Sequence, residues 1–181
     1  LWRLFTAVFL HGGITHIAFN MYALHILGRE LERFYGSARF LILYLVGAFA
    51  GNVFSYLFTD ANSLGASTAI FALLGGYGVF VFRNRVVFGG NTQRVLRNIG
   101  QVLLINLIIG LTPGIDNWGH LGGLIGGAAL AWTGGVEYAL SGNPLTGLKL
   151  QEKNEPRRFV LSAAAVLITF GGLVVAKVLF T

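Results

Sequence analysis

Apolar residues form six long stretches along the chain, separated by polar segments. They cover residues 13–31, 40–58, 64–82, 99–113, 118–134 and 159–180. A helix needs about 20 apolar residues to cross the hydrocarbon core of a bilayer. Six stretches near this length predict an all-α bundle of membrane-spanning helices. The fourth and fifth are short, and we expect their helices to extend into the neighbouring loops.

The composition supports a membrane protein and excludes several other classes. Charged residues make up 11% of the 181 residues, against about 25% in soluble domains, and the mean hydropathy is +0.70. A soluble globule and a disordered chain are both excluded by these values. The sequence has no cysteine, which excludes disulfides, thiolate nucleophiles and cysteine-bound zinc.

Basic residues are concentrated in alternate loops. Eleven of the 13 lie between spans one and two, three and four, or five and six, whereas residues 59–63 and 112–117 carry only acidic charges, Asp60 and Asp116. Cytoplasmic loops are enriched in Lys and Arg, so we read the net charge of +6 as a topology signal and expect no nucleic-acid partner. Residue 1 is then on the outer side, and we expect an earlier helix and seven spans in the intact protein.

Three spans that start on the outer side each carry polar residues near that start. Polar side chains inside a membrane are costly and are functional candidates by default. Their shared depth predicts one buried site that opens to the outer face. The candidates are His11, His16 and Asn20 in the first span, Gly65, Ser67 and Thr68 in the third, and Gly119 and His120 in the fifth.

Each of these residues also has a structural interpretation. His16 and Asn20 share a helical face and could be interfacial residues, and His25 points the opposite way. Ser67 could be a helix cap or a small packing residue. It could also be a nucleophile whose oxyanion meets free N–H groups at the helix start.

Glycines flank His120 at steps of four along one face of the fifth span, at positions 119, 123 and 127. Small residues at this spacing allow two membrane helices to approach closely. Such an approach could bring the imidazole of His120 within hydrogen-bond distance of Ser67.

Other classes of membrane enzyme lack the residues they need. The only aspartates lie in short outer loops, there is no HExxH motif, and His11 and His16 are five residues apart with no acid between them. These features argue against an aspartyl protease and a zinc protease. The remaining nucleophile–base pair is Ser with His, and we expect no metal and no cofactor.

The motifs together resemble the rhomboid intramembrane serine proteases over about residues 1–135. Trp2 and Arg3 resemble the family's WR pair, and Glu32 with Gly36-Ser37 resembles its ExxxGS helix end. The resemblance implies structural roles near the site for a group of residues, which are Trp2, Arg3, His11, Glu32, Phe71, Gly119, Gly123 and Gly127. Three helix motifs match in order, which are His11-x4-His16-x3-Asn20, Gly65-x-Ser67 and Gly119-His120-x2-Gly123-x3-Gly127.

The resemblance implies a Ser67–His120 catalytic dyad that forms an acyl-enzyme. It also implies an oxyanion site built from His16, Asn20 and the Ser67 N–H, with Gly65 beside it, and places Phe71 where the family often has a Tyr stacked under the histidine. The implied activity is cleavage of transmembrane substrate proteins near the outer membrane face, with membrane lipid as the surroundings.

The implied organisation is a rhomboid-like core over residues 1–135, with five spans and the family's first helix absent. A cytoplasmic polar linker over 136–158 and an additional transmembrane helix over 159–181 follow. We expect a multi-pass protein of a bacterial plasma membrane.

One residue departs from the family pattern. Thr68 stands where the family usually has Gly after the serine. Its branched side chain could crowd a helix contact, or its hydroxyl could bond to a carbonyl one turn earlier. A catalytically idle rhomboid-like protein that binds transmembrane clients therefore stays as an alternative, and a transporter or channel as a more distant one.

Overall fold

A computed structural model describes residues 2–60, 63–143 and 147–180. Residues 1, 61, 62, 144–146 and 181, which the sequence analysis assigns to the core, an outer loop, the linker and the last helix, lie outside the described residues. Every predicted apolar stretch falls on a helix. The helices are α1 (Arg3–Thr6), α2 (Ile14–Phe58), α3 (Ser67–Arg83), α4 (Arg85–Phe88), α5 (Thr92–Ile109), α6 (Asn117–Gly134) and α7 (Pro156–Phe180), with 3-10 turns at Ala7–Phe9 and Gly89–Asn91.

The long element α2 is two helices joined at Gly36. This residue has φ 73 and ψ 158, a backbone conformation that glycine adopts readily. A Cβ placed on Gly28 would lie 3.3 Å from the Phe40 ring, whereas 12 residues of straight helix would separate the two positions by about 18 Å. The chain therefore turns back at Gly36, and the two arms of α2 correspond to the first two predicted spans.

Helices α2 and α7 are long and apolar enough to cross a membrane, and the pair α3–α5, bent by 81°, adds a third span if it is counted as one. The protein is a helical, multi-pass membrane protein. Helix α5 begins seven residues before the predicted fourth stretch and ends four residues before its end. Its first turns are polar, so hydropathy alone does not detect them.

The central packing of the bundle joins the second arm of α2 to α3 and α6. These helices approach at glycines, because a Cβ on Gly123 or Gly127 of α6 would collide with the carbonyl oxygen of Thr68 or Ala72 of α3. A Cβ on Gly51 of α2 would lie 2.6 Å from the Gly119 carbonyl oxygen. The predicted close approach along the glycine face of α6 is therefore present.

The segment after α6 is more ordered than the predicted polar linker. It forms an antiparallel hairpin of β1 (Tyr138–Asn143) and β2 (Gly147–Glu152), which adds a small sheet to the otherwise helical fold. Asn84, at the end of α3, is fully buried and donates to the carbonyls of Phe80 and Val136, at 2.8 and 3.0 Å. The same side chain accepts from the Tyr138 N–H at 2.7 Å, so the hairpin is fixed to the bundle.

Helix α7 returns along α2 and α6 to the end of the bundle where α3 and α6 begin. Its Phe170 ring packs 5.7 Å from Phe54 of α2. Near its C-terminus, Lys177 donates to the carbonyls of Tyr56 and Leu57 at 2.8 and 3.2 Å. A cation at these carbonyls stabilises the C-terminal end of α2.

Candidate active site

Ser67 and His120 lie next to each other at one end of the bundle. Ser67 is the first residue of α3 and His120 lies in the first turn of α6. The His120 Nε2 and Ser67 Oγ atoms are 2.9 Å apart, which is hydrogen-bond distance. The close packing of α3 against α6 explains this proximity, because both side chains project from the starts of helices in direct backbone contact.

The face of the His120 ring packs against the face of the Phe71 ring. The two rings are stacked, with centroids 4.2 Å apart and an interplanar angle of 7°. Phe71 lies one turn after Ser67 on α3, so one helix carries both the hydroxyl and the surface on which the imidazole rests. The stacking predicted for Phe71 is present in the structure.

Residues of α2 approach the same place from the other side. A Cβ on Gly65 would lie 2.7 Å from His16 Nε2 and 3.6 Å from Asn20 Nδ2. Gly65 has φ 129, so both the backbone conformation and the available space require glycine here. His16 and Asn20 are therefore gathered beside the segment that leads into Ser67.

A cavity of about 390 Å³ connects these groups. It is lined by Ser67, His120 and His16 together with residues of the outer loops, which are Gly12, Thr59, Ser63, Leu64, Gly114, Ile115 and Asp116. Asn20 is buried beside the cavity, and its Nδ2 atom has no hydrogen-bond partner among the residues that the structure describes. A donor of this kind is suited to bind negative charge on a substrate oxygen.

Asp116 contributes to the site, although the sequence analysis treated it only as a loop acid. It is the N-cap of α6, and its Oδ1 accepts from the Gly119 N–H at 2.9 Å and from the Thr59 hydroxyl at 3.2 Å. It thereby connects the end of α2 to the start of the helix that carries His120. An Asp just before an apolar helix is an N-cap signal that could have identified this role.

Hydrogen bonding also changes the acidity of Asp116. Burial acts to raise the pKa of its carboxyl, but the Ser55, Ser63 and Thr59 hydroxyls and the Gly119 N–H favour the charged form and hold the pKa below its ordinary value. A Cβ on Gly119 would lie 2.5 Å from Asp116 Oδ2, so glycine at this position leaves room for the cap.

Other predicted residues lie farther from the dyad. His11 packs edge-on against His16, with ring centroids 5.1 Å apart. The Arg3 guanidinium lies 5.7 Å from the Trp2 ring, and both residues line a separate cavity of about 680 Å³. None of these three residues lines the cavity that contains Ser67 and His120.

Glu32 is not near the site, which corrects its predicted placement. Its carboxylate accepts from the Ser37 hydroxyl at 2.6 Å, beside the turn at Gly36. From His16 to Glu32 the first arm of α2 rises about 24 Å, so the Glu32 contact belongs to the opposite end of the bundle. His25 is exposed, in agreement with its predicted direction away from His16.

Within the described ranges 2–60, 63–143 and 147–180, no group of His, Asp or Glu side chains is arranged to hold a metal ion. The site offers instead a hydroxyl, an imidazole in contact with it and a set of nearby donors. This combination, in a helical membrane bundle, is of the serine hydrolase type.

Comparisons with known proteins place the chain in a family. The profile of the Rhomboid domain matches residues 1–137, and the chain therefore belongs to the rhomboid family. It is 45% identical over 131 residues to the Rhomboid protease GluP of Bacillus subtilis, which covers 70% of this chain and 24% of that protein.

Plant proteins match over nearly the whole chain. RHOMBOID-like protein 6, mitochondrial, of Arabidopsis thaliana is 33% identical over 186 residues, covering 98% of this chain and 60% of that protein. RHOMBOID-like protein 1 of the same plant is 32% identical over 180 residues, covering 95% of this chain and 46% of that protein. The chain thus spans between a quarter and three fifths of the length of these relatives.

Proposed function

We propose that the protein is an intramembrane serine endopeptidase that cleaves transmembrane proteins through a Ser67–His120 dyad. The observation that carries this proposal is the 2.9 Å contact between Ser67 Oγ and His120 Nε2, in a cavity that also contains His16. Family membership and the similarity to a protein named as a rhomboid protease support it.

In the first half of the reaction, His120 Nε2 accepts the Ser67 proton while the Ser67 oxygen attacks a peptide carbonyl carbon. For Nε2 to act as the base, the proton of the neutral imidazole must be on Nδ1. The carbonyl oxygen becomes an oxyanion, which we assign to donors on His16, Asn20 and the Ser67 backbone. His120 then protonates the leaving amine, and the acyl-enzyme remains.

In the second half, a water molecule loses a proton to His120 and attacks the ester carbonyl. The second tetrahedral intermediate collapses to the free acid, and Ser67 regains its proton from His120. No cofactor is required, because His120 carries the proton between Ser67, the leaving amine and the attacking water.

We infer that the dyad lies near the outer membrane face and that the hairpin end lies in the cytoplasm. Support comes from the loop charges, since eleven of 13 basic residues belong to loops grouped at the hairpin end. A bacterial plasma membrane is the proposed location. Residues 1–135 would form the catalytic core, 136–158 the cytoplasmic connection and 159–181 the additional helix.

The dyad is tested by cleavage of a type I transmembrane reporter in liposomes. Ser67→Ala and His120→Ala should each reduce turnover by about six orders of magnitude, as loss of the Ser or the His does in a soluble serine protease, and the double variant should be little worse, because such residues act as a unit. Ser141→Ala and His25→Ala, at exposed sites away from the cavity, are matched controls and should retain activity.

A serine-reactive fluorophosphonate separates the protease from an idle client-binding protein. The wild type should be labelled and Ser67→Ala should not. A wild-type protein that is folded yet takes up no label and cleaves no reporter would contradict the proposal and favour the idle alternative. Additive losses in the double variant would contradict the dyad itself.

A further inference from the structure

The hairpin has one apolar face that the bundle does not cover. Leu140 is paired with Leu150, and Gly142 is paired with Leu148, so Leu140, Leu148 and Leu150 lie on the same side of the two strands. Their exposed fractions are 52%, 51% and 49%. We call these three side chains the leucine face.

The opposite side of the hairpin is polar. Ser141 is paired with Lys149, and Ala139 is paired with Gln151. These residues alternate with the leucines along each strand, and Lys149 and Gln151 are exposed. The hairpin therefore has an apolar side and a polar side, although each strand has only six residues.

The base of the leucine face is attached to the bundle, which fixes its direction. Tyr138 and Glu152 are paired at the open end of the hairpin, on the same side as the leucines. The Tyr138 hydroxyl donates to the Phe34 carbonyl at 3.0 Å, and Arg39 donates to Glu152 at 2.6 Å. This side of the sheet therefore faces the end of the helix bundle.

The leucine face continues beyond those contacts. From Tyr138 to Gly142 the strand extends about 14 Å, and an α-helix has a radius of about 5 Å including side chains. On this estimate the far part of the hairpin extends past α2, which agrees with its leucines remaining about half exposed, and its leucine side keeps the same direction. Because the bundle spans a membrane, the surface beyond its edge in that direction is the bilayer.

Charge at this end of the protein favours an anionic surface. The hairpin end, with its neighbouring loops, carries eleven basic and five acidic side chains, whereas the opposite end carries Arg3 and Lys177 against Asp60 and Asp116. The whole net charge of +6 is therefore on the side of the hairpin. Basic residues near a membrane surface are attracted to anionic lipid head groups.

We propose that the leucine face is a membrane-interface anchor, which inserts among the head groups of an anionic leaflet while the polar face remains in water. An amphipathic element of this type places its apolar side about 5–10 Å into the boundary between head groups and acyl chains. The anchor would hold the hairpin at a fixed depth, together with the end of α3 through Asn84 and the Gly36 turn of α2 through Arg39. This inference depends on membrane insertion of the chain and does not depend on protease activity.

Four consecutive positions of β2 allow a direct test, because the chain has no native cysteine. Leu148→Cys, Lys149→Cys, Leu150→Cys and Gln151→Cys are each labelled with an environment-sensitive fluorophore in full-length protein. The four positions are exposed, so the label does not disturb the core. Each variant is placed in nanodiscs that hold one copy, with either neutral lipids or a mixture containing anionic phosphatidylglycerol.

In anionic nanodiscs, probes at 148 and 150 should show blue-shifted emission and quenching by spin-labelled lipid. Probes at 149 and 151 should emit as in water and be quenched by iodide. Neutral lipid or high salt should weaken the difference, since the attraction of surface charges is screened. The alternation of the signal with a period of two is the expected signature.

Water-like emission at all four positions in anionic nanodiscs would overturn the anchor. Shielding of 148 and 150 only in discs that hold two copies would assign the face to a contact between copies, which also overturns it. An alternation of equal size in neutral and anionic lipid would refute the role of charge. Cleavage activity is not a readout here, so failure of the anchor is distinct from failure of the protease proposal.

Discussion

The two ends of the bundle satisfy their buried polar groups in different ways. At the end that carries Ser67 and His120, several buried atoms have no hydrogen-bond partner among the described residues, including His11 Nε2, Asn20 Nδ2, Thr68 Oγ1 and His120 Nδ1. At the hairpin end, the Tyr35 hydroxyl alone among the described side chains is in that state. Buried polar groups are normally paired.

Apart from the Tyr35 hydroxyl, the buried polar side chains described at the hairpin end are paired. Asn84 makes three hydrogen bonds, and Glu137 accepts from Arg83 at 2.7 Å and from Lys153 at 3.3 Å. Burial acts to raise the pKa of the Glu137 carboxyl, but the hydrogen bond and charge of Lys153 and the charge of Arg83 hold the pKa below its ordinary value. This end is therefore held by paired polar groups, whereas the end that carries Ser67 and His120 keeps unpaired donors, which the proposed reaction would use.

Outside the dyad, the largest effect should follow from removing donors at the end that carries Ser67 and His120. His16→Ala and Asn20→Ala should each lower turnover of the reporter by about 10²–10³, the cost of losing one oxyanion donor. Because Asn20 Nδ2 has no partner in the free protein, its loss should leave the unfolding temperature in detergent nearly unchanged. A loss of turnover that is accompanied by a large fall in the unfolding temperature would contradict the assignment.

The reverse result is expected at the hairpin end. Asn84→Ala removes two donated bonds and one accepted bond from a fully buried position, and should reduce the free energy of unfolding by about 2–4 kcal/mol. The variant that remains folded should cleave the reporter at the wild-type rate. The nearby exposed Arg85→Ala is the matched control, and a large fall in turnover at unchanged stability would break the proposed division between the ends.

Sequence patterns predicted the helices and the proximity of Ser67 to His120, because both depend on strong local signals. Long apolar stretches reveal spans, and polar residues at a shared depth stand out against them, which is how Ser67, His120 and His16 were grouped. The hairpin was missed because its apolar alternation is limited to short strands within a polar segment. Its turn signals, Gly142 and Gly147, both with φ 120, were the available evidence.

The remaining differences come from tertiary contacts. The distance of Glu32 from the site depends on the length of the first arm of α2. Residue spacing indicates only that Ser37 lies close to Glu32. The connection from Asp116 to Thr59 joins residues 57 positions apart, and no local pattern indicates such a pair.

Asp116 provides a smaller test that depends on pH. Loss of an N-cap costs about 0.5–2 kcal/mol of stability, so Asp116→Ala should unfold at a lower temperature, while Asp116→Asn should retain part of the cap. Because folding lowers the pKa of this carboxyl, its charged form stabilises the protein above the ordinary value of 3.8. That contribution is lost as the pH falls through the lower folded-state pKa.

Unfolding temperatures of wild type and Asp116→Asn at several pH values measure this effect. The difference between them should be constant at neutral pH and should shrink below pH 3.8. Asp60→Asn, an exposed acid of the same outer end, is the control. A difference that grows as the pH falls would have the wrong sign for a carboxyl whose pKa is lowered by folding.

The smallest effect concerns Thr68, which is 2% exposed and fills the space between Gly51 and Gly119. Its hydroxyl has no partner in the described part of the chain, so the expected bond to a carbonyl one turn earlier is absent. Thr68→Val keeps the shape and removes this hydroxyl, and should raise the free energy of unfolding by up to about 1 kcal/mol. Thr68→Gly should instead lower it, because the facing glycines leave a gap. If Thr68→Gly raises turnover at equal expression, the Thr68 side chain restrains the dyad. If turnover is unchanged or lower, Thr68 is the packing partner of these glycines.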